Sequence, residues 1–166
     1  FEDVLRDDDW VFVANLPYNV GTGILLDALR HAPTIKRFVV MVQSEVADRL
    51  LADPGSRTYG LPSVVTGLHA DGQAAISVPP NAFEPQPRVD STVVVLERRR
   101  APEYSERAIA IASAGFGQRR KMLRRSLRTV LEDPAAVLAA ADIDPTLRAE
   151  NLAPTDFVSI AAAEVS

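Results

Sequence analysis

The first half of the chain alternates short apolar runs with segments of helical periodicity. Trp10–Ala14 is a strand-type run, and Gly21–His31 follows it with apolar residues at helical spacing. Phe38–Val42 is a second apolar run, and it leads into a helical segment over residues 44–52, with Ser44 as the expected N-cap. Parallel strands need crossover connections of this kind. The order therefore predicts a parallel α/β sheet, in which a central position would bury Trp10–Ala14 on both faces.

Two more strands are expected further along the chain. Ala74–Val78 and Thr92–Leu96 bracket a proline-rich stretch, Pro79–Pro87. A hairpin-like pair at the edge of an otherwise parallel sheet fits that pattern. Before this pair, Leu61–His69 is compatible with either a short helix or a strand, and its periodicity does not decide between them.

The pattern becomes wholly helical after residue 100. We therefore predict a domain boundary there, with residues 1–99 forming the α/β part and residues 100–166 forming a small all-helical domain. Within the second part, Asp133 is an expected N-cap, because Pro134 follows it at the first helical position. Thr155 is the expected cap of the last helix.

Positive charge is concentrated in one block of the sequence. Residues 98–131 carry ten basic and two acidic side chains, a net charge of +8, while the segments on either side each carry −6. On a helix that turns by about 100° per residue, most of the basic residues after position 118 share one face and the apolar residues share the other. Such a face can be a solvated helix surface, but five cations on one face without acidic neighbours favour a polyanionic partner such as a nucleic acid. The basic residues of this segment are Arg119, Arg120, Lys121, Arg124, Arg125 and Arg128.

Composition excludes several classes of site and partner. The chain has no cysteine, which rules out disulfide scaffolds, thiolate zinc sites and cysteine nucleophiles. Its two histidines, His31 and His69, lie far apart and are expected at the surface, so no metal centre is predicted. No apolar run approaches the ~20 residues of a membrane-spanning helix, and the opening residues Phe1-Glu2-Asp3 do not resemble a signal peptide. We therefore expect a cytoplasmic protein without a metal or a membrane partner.

The four residues Asn15-Leu16-Pro17-Tyr18 lie where the first strand ends, and ligands of open α/β sheets bind at such strand ends. The turn suits methyl transfer to the exocyclic amine of a base. The side-chain carbonyl of Asn15 and the main-chain carbonyl of Leu16 or Pro17 can accept the two N–H bonds, which orients the nitrogen lone pair. Tyr18 offers a flat surface on which the base can stack. Taken alone, the four residues are more simply a turn that ends a strand.

Phe83 lies in a second unusual stretch, the proline-rich loop that precedes the strand Thr92–Leu96. Its prolines restrict the backbone and would hold Phe83 in a fixed direction. A second aromatic ring opposite Tyr18 would clamp a base that has been taken out of its stack. Taken alone, the loop is better explained as a stiff connector with Phe83 packed in the core.

Together these stretches resemble the bacterial small-subunit ribosomal RNA adenine N6,N6-dimethyltransferases, the kasugamycin-sensitivity methyltransferases, over essentially the whole chain. The resemblance implies the C-terminal part of a Rossmann-like class I methyltransferase core, followed by a small helical domain. It also implies dimethylation of two adjacent adenines in a hairpin loop near the 3′ end of the small-subunit RNA, with S-adenosylmethionine as the methyl donor. The matching stretches are Asn15-Leu16-Pro17-Tyr18, Gln43–Leu50, Tyr59-Gly60, Phe83–Ser91, Gly117–Lys121 and Arg148–Leu152.

The resemblance also assigns roles to individual residues. Asn15, Leu16, Pro17 and Tyr18 would hold the target amine, and the Phe83 position would help to sandwich the base. Asn15 would in addition line the S-adenosylmethionine pocket. The implied partner is small-subunit ribosomal RNA or the 30S particle, with a role in small-subunit biogenesis, and a full-length protein is expected to be a monomer.

One departure from the family pattern concerns the methyl donor. The family begins with the other half of the Rossmann-like core, which carries a glycine-rich loop and the acidic residues that hold the donor, and this sequence contains neither. Gly21-Thr22-Gly23 is followed by Leu26 where a third glycine would stand, so we interpret it as a pair of loop glycines. We therefore expect a truncated polypeptide that lacks the strands against which the first strand of this chain should pair.

Three rival functions remain open from the sequence. A large-subunit methyltransferase of the erythromycin-resistance type belongs to the same superfamily, although the ordered motifs around residues 118–121 and 148–151 favour the small-subunit family. A DNA adenine methyltransferase usually carries a different turn in place of Asn15–Tyr18. The rival from another class is a non-catalytic RNA-binding or ribosome-assembly factor, which would keep the basic segment without turnover.

We predict that the 166-residue chain alone binds S-adenosylmethionine negligibly, because it lacks the glycine-rich loop and acidic residues of the donor site. Isothermal titration calorimetry measures this directly. Binding with micromolar affinity would contradict the prediction.

Overall fold

The structure, a computed structural model, describes residues 9–165, which pack as two compact units. The first unit contains residues 9–51 and 65–100, and the second contains residues 52–64 and 101–165. Residues 52–64 thus pack with the helical part, although the sequence places them in the domain 1–99. The reason is hydrogen bonding within the second unit, where the Gly55 N–H donates to the Glu150 carbonyl at 2.7 Å.

The first unit contains four strands and two complete helices, and a further helix contributes residues to both units. Strand β1 ends at Asn15, directly before the turn that precedes helix α1. The expected helix over Gly21–His31 is found with those bounds. The elements are β1 (Trp10–Asn15), α1 (Gly21–His31), β2 (Ile35–Gln43), α2 (Ser44–Leu50), α3 (Leu61–His69), β3 (Ala70–Val78) and β4 (Ser91–Arg98).

The four strands form one mixed sheet in the order β1-β2-β4-β3. Strands β1 and β2 are parallel, with Asn15 opposite Met41, while β4 is antiparallel to both β2 and β3. The predicted hairpin-like pair at the edge of a parallel sheet is therefore confirmed. The α/β class is confirmed as well.

Strand β1 is more exposed than a central strand would be. Val11 and Val13 are 55% and 73% exposed, because β1 lies at the edge of the sheet formed by residues 9–165 and pairs there with β2 alone. Burial of Trp10–Ala14 on both faces, expected for a central position, is not found in this chain.

Helices α1 and α2 pack against the sheet through one cluster of buried apolar side chains. Leu25 and Leu29 of α1 are fully buried in it, as is Phe38 of β2. The guanidinium of Arg98 stabilises the C-terminal end of α1, because it donates to the carbonyls of Leu29 at 2.7 Å and Ala32 at 3.0 Å. A cation at a helix C-terminus both satisfies free carbonyls and interacts favourably with the helix dipole.

One alternative left open by the sequence is resolved, and two local predictions are wrong. Leu61–His69 is a helix, and His69 lies in the interior, where its Nδ1 is 3.0 Å from the Val65 carbonyl, rather than at the surface. Ser44 does not cap α2, because Gln43 occupies the N-cap position and the Ser44 hydroxyl is hydrogen-bonded to the Thr92 hydroxyl at 2.8 Å.

The second unit is helical, and its core centres on the packing of its first and last helices. Ile111, Phe157 and Ile160 are fully buried there. Its elements are α4 (Ser105–Gly117), α5 (Leu123–Ser126), a 3-10 turn (Leu127–Thr129), α6 (Pro134–Ala140), a second 3-10 turn (Ala149–Asn151) and α7 (Pro154–Glu164).

Two predicted helix caps in the second unit have different outcomes. Asp133 is confirmed as the N-cap of α6, since its carboxylate accepts N–H bonds from Ala135 and Ala136, both at 3.1 Å. Thr155 is not the cap of α7. The helix begins at Pro154, and the Asp156 carboxylate accepts the N–H of Ala153, the N-cap residue, at 2.7 Å.

Gly21 and Gly23 are not loop residues, because both lie in the first turn of α1. They differ in their surroundings. A Cβ on Gly21 would lie 2.6 Å from the Leu16 Cβ, whereas a Cβ on Gly23 would have no neighbour within 4 Å. Gly21 therefore permits the close approach of α1 to the end of β1.

We predict opposite effects for the two alanine substitutions in this helix turn. Gly21→Ala forces Leu16 to move and lowers the free energy of unfolding by about 1–3 kcal/mol, as overpacking does elsewhere. Gly23→Ala is the matched control, and it raises stability by up to about 1 kcal/mol because alanine favours helix. Urea unfolding of the two variants measures both changes, and equal effects would contradict the steric explanation.

Candidate functional site

The turn after β1 is held by two backbone hydrogen bonds. The Leu16 N–H donates to the Met41 carbonyl at 3.1 Å, which extends the pairing of β1 and β2 by one residue. The Pro17 carbonyl accepts the Gly21 N–H at 2.7 Å, which leads the chain into α1. Leu16 is buried, and Asn15 is exposed beside it. The turn therefore presents Asn15 from a fixed backbone.

The proline-rich loop between β3 and β4 carries Phe83 to the same place. A 3-10 turn at Pro80–Ala82 begins it, and the Phe83 N–H donates to the Pro80 carbonyl at 3.2 Å. At its far end, the Asp90 carbonyl accepts the Ser44 N–H at 3.0 Å. The loop is thus tied at both ends, and Phe83 is half-buried within it.

An open cavity of about 340 Å³ lies between the turn and the loop. Ligand pockets in proteins typically have volumes of about 300–1,000 Å³. Every residue of the predicted amine and base site contributes to its wall, although the roles assigned to them remain predictions. The lining residues are Asn15, Leu16, Pro17, Tyr18, Phe83, Pro85 and Pro87.

Ser91 supports this cavity, and the sequence prediction missed it. Tyr18 is 42% exposed, and its hydroxyl is hydrogen-bonded to the Ser91 Oγ at 3.0 Å. Ser91 is the fully buried first residue of β4. The sequence signal was present, because Ser91 closes the matching stretch that begins at Phe83.

The cavity is suited to positioning a ligand rather than to acid–base catalysis. The described residues that line this cavity include no carboxylate, imidazole or amine side chain, and the Tyr18 hydroxyl is already bonded to Ser91. The lining residues carry a side-chain amide at Asn15, main-chain carbonyls along the turn, and aromatic rings at Tyr18 and Phe83. Such walls can accept N–H bonds from a planar polar molecule and stack on its faces.

The basic segment, residues 119–128, is not the single helix that the sequence predicts. Helix α4 ends at Gly117, and the chain turns before the short helix α5 begins at Leu123. The interruption has a physical cause outside the segment. The N–H groups of Leu123 and Arg124 donate to the carbonyls of Leu147 at 2.7 Å and Pro145 at 3.2 Å, so they do not continue the α4 hydrogen bonding.

The broken segment still separates apolar from charged side chains. Leu123 and Leu127 are fully buried, while the cations between and around them are exposed. The exposed basic residues are Arg120, Lys121, Arg124, Arg125 and Arg128.

Arg119 differs from these five cations. Its Nε donates to the Glu150 carboxylate at 2.9 Å, and its Nη1 donates to the Tyr59 carbonyl at 2.8 Å. The guanidinium also lies 5.9 Å from the centre of the Phe116 ring. Arg119 therefore binds other parts of the second unit and does not belong to the exposed basic surface.

The same network joins three of the stretches that carry the family resemblance. The Tyr59 hydroxyl donates to the Leu152 carbonyl at 2.8 Å. Burial raises the pKa of Tyr59 well above its ordinary value, and the Asp156 charge raises it further. Through Arg119, this tyrosine is connected to Glu150, so the motifs at residues 59–60, 117–121 and 148–152 form one structural cluster.

Residues 9–165 lack two kinds of feature. No group of three or more His, Cys, Asp or Glu side chains within that range is placed to hold a metal ion. Over the same residues, no helix has the length and apolar character needed to cross a membrane.

Comparison with solved structures identifies the fold. The chain is similar to a dimethyladenosine transferase from Plasmodium falciparum, with a TM-score of 0.79 at 24% identity over 90% of this chain and 64% of that one. It is also similar to the 23S rRNA methyltransferase ErmE, with a TM-score of 0.69 at 22% identity over 97% of this chain and 67% of that one. At these identities the likeness shows the fold alone, and it confirms the predicted methyltransferase-type α/β class.

Comparison with sequences identifies the family. Relatives called "Ribosomal RNA small subunit methyltransferase A" are 52% identical in Kineococcus radiotolerans and 47% identical in Rhodospirillum rubrum, over 90% and 91% of this chain. The chain spans only about half of their length, 52% and 53% respectively. Residues 3–164 match the family described as "Ribosomal RNA adenine dimethylase". The predicted resemblance is thereby confirmed, and the chain belongs to the ribosomal RNA adenine dimethylase family.

Proposed function

We propose that this chain is the substrate-facing part of an enzyme that dimethylates the N6 amino groups of two adjacent adenines in small-subunit ribosomal RNA. The observation that carries the proposal is the convergence of Asn15, Tyr18 and Phe83 on one open cavity at the end of β1. Family membership and the name of the relatives support the reaction and the RNA class. The 30S particle is the proposed physiological substrate.

The carbonyl oxygens at the end of β1 position the amine. An adenine N6 is a poor nucleophile because its lone pair is delocalised into the ring. The Asn15 side-chain carbonyl and a main-chain carbonyl accept its two N–H bonds, which favours a pyramidal nitrogen with its lone pair directed at the methyl donor. Leu16 supplies the main-chain oxygen in this account, because the Pro17 oxygen already accepts the Gly21 N–H.

Tyr18 and Phe83 hold the base from its two faces. Both rings line the cavity, and each belongs to a segment fixed by hydrogen bonds. Stacking of a base on an aromatic ring contributes about 1–3 kcal/mol. This energy offsets part of the cost of taking an adenine out of its stack.

S-adenosylmethionine supplies the methyl group when it is bound. Among the residues of this chain, Asn15 fits its site, because it is a polar, exposed side chain at the carboxyl end of a strand and beside the cavity. The sequence has no glycine-rich fingerprint that would hold the rest of the donor. Asn15 therefore serves as the contact between the donor and the amine.

The exposed cations of the basic segment bind the RNA backbone. Arginine pairs well with phosphate because its planar guanidinium donates two parallel hydrogen bonds. Five exposed cations lie in a segment of nine residues, from Arg120 to Arg128. We assign the phosphate contacts to these five and a structural role to Arg119, which is paired with Glu150.

A second candidate is an RNA-binding assembly factor without turnover. The chain carries five exposed cations in the basic segment but no glycine-rich fingerprint for the methyl donor, which favours this candidate. The basic segment also belongs to the second unit, whereas the cavity belongs to the first. Binding to RNA is therefore separable from the chemistry at Asn15.

The Asn15→Ala variant distinguishes the two candidates. The test enzyme is the Kineococcus radiotolerans relative in which the aligned stretch is replaced by the matching stretch of this chain. Removing one preorganised hydrogen-bonding group of this kind slows catalysis by about 100- to 1,000-fold. We expect that loss in methylation of under-methylated 30S particles, with RNA affinity unchanged. Asn19→Ala, a neighbouring exposed asparagine, is the control and keeps full activity.

A test enzyme whose methylation does not depend on Asn15 would contradict the enzymatic proposal. If the unsubstituted test enzyme binds 30S particles without methylating them, the assembly-factor candidate is favoured instead.

The basic segment makes a separate prediction about salt dependence. Each phosphate contact contributes about 0.7–0.9 to the slope of log K against log salt. Replacing Arg120, Arg124 and Arg125 with Gln in the 166-residue chain lowers that slope by about 2–3 for an rRNA hairpin. Arg119→Gln is the matched variant, which lowers the unfolding temperature and leaves the slope within about 0.5 of the parent, since its charge is paired with Glu150.

Filter binding at several salt concentrations measures these slopes. An unchanged slope in the triple variant would exclude this segment as the RNA contact.

A further inference from the structure

We propose that Ser91 is a positioning residue for methyl transfer, whose hydroxyl fixes the ring of Tyr18 on which the target base stacks. The inference rests on the proposed function. Its physical basis is the hydrogen bond between the Tyr18 hydroxyl and the Ser91 Oγ at 3.0 Å. It joins two residues that are 73 positions apart in the sequence.

Ser91 is well suited to be a fixed point. It begins β4, the strand that lies between β2 and β3, and it is paired with Gln43 on one side and Val78 on the other. It is fully buried. Because strands on both sides hold its backbone, the Ser91 hydroxyl has little freedom to move.

Tyr18 has the opposite character. It follows β1 in a turn and is 42% exposed, so packing alone leaves part of its ring without neighbours. The bond to Ser91 attaches the far end of that ring to the interior of the sheet. The orientation of the stacking surface therefore depends on this bond.

The chain on either side of Ser91 is held as well, at the end of the loop that carries Phe83. Ser91 directly follows the loop that carries Phe83, and both of its chain neighbours are bonded to Ser44. The Asp90 carbonyl accepts the Ser44 N–H at 3.0 Å, and the Thr92 hydroxyl is hydrogen-bonded to the Ser44 hydroxyl at 2.8 Å. The end of that loop next to Ser91 is therefore anchored to the start of α2.

Ser91 acts through Tyr18 and does not itself contact the base. The residues that line the cavity include Tyr18 and Phe83 but not Ser91. Loss of its hydroxyl should therefore impair alignment of the bound adenine and leave RNA affinity, which depends on the basic segment, unchanged.

A double-mutant cycle on the test enzyme examines this directly. The variants are Ser91→Ala, Tyr18→Phe and the combination of the two, assayed for kcat and KM on under-methylated 30S particles. A hydrogen bond of ordinary strength corresponds to a factor of about five. We expect kcat to fall about fivefold in each single variant and about fivefold, not about 25-fold, in the double variant, with KM within about twofold of the parent.

The outcomes separate the inference from the proposed function. A multiplicative loss in the double variant, or an unchanged kcat in both single variants, overturns the role of Ser91 while leaving the enzyme assignment intact. A parent test enzyme that forms no dimethyladenosine overturns the proposed function, and the inference falls with it.

Unfolding of the 166-residue chain provides a second measurement that does not depend on activity. Tyr18→Phe leaves the buried Ser91 hydroxyl unpaired, whereas Ser91→Ala leaves the exposed Tyr18 hydroxyl free to bond with water. We expect the lowest unfolding midpoint for Tyr18→Phe and a higher one for the double variant, because removing both partners relieves the unpaired group. A double variant less stable than Tyr18→Phe would contradict the bond.

Discussion

The contact between Gly21 and Leu16 is the constraint on which the candidate site depends. Without a Cβ at position 21, helix α1 can begin four residues after Pro17, and the Gly21 N–H can donate to the Pro17 carbonyl. The turn at the end of β1 is consequently short and leaves Asn15 and Tyr18 at fixed positions. A larger residue at position 21 would separate the strand from the helix and displace the site.

In both units, a hydrogen bond to a residue distant in the sequence fixes a side chain at or next to the proposed binding surface. In the first unit, buried Ser91 holds the exposed ring of Tyr18. In the second, Arg119 is bonded to Glu150 and Tyr59, and it precedes the exposed cations that are proposed to bind RNA. The side chains proposed to contact the substrate are thus different from the side chains that fix their positions.

The sequence predicted the elements whose signal is local. Helix α1, the hairpin-like pair and the Asp133 cap follow from periodicity and from one proline, and all three are found. The predictions from sequence were wrong or incomplete where hydrogen bonds to a distant segment determine the local structure. The basic segment breaks because the carbonyls of residues 145 and 147 take its amide groups, and Ser44 bonds to Thr92 instead of capping α2. The sequence matched Ser91 within the stretch that begins at Phe83 but did not reveal its role, because its partner Tyr18 lies 73 residues away.

The most direct measurement is nucleoside analysis of the RNA product. The test enzyme is incubated with S-adenosylmethionine and under-methylated 30S particles, and the digested RNA is examined by mass spectrometry. The account predicts N6,N6-dimethyladenosine at two adjacent adenines of the small-subunit RNA. Particles that are bound but contain no dimethyladenosine would contradict it and leave RNA binding by the basic segment as the function.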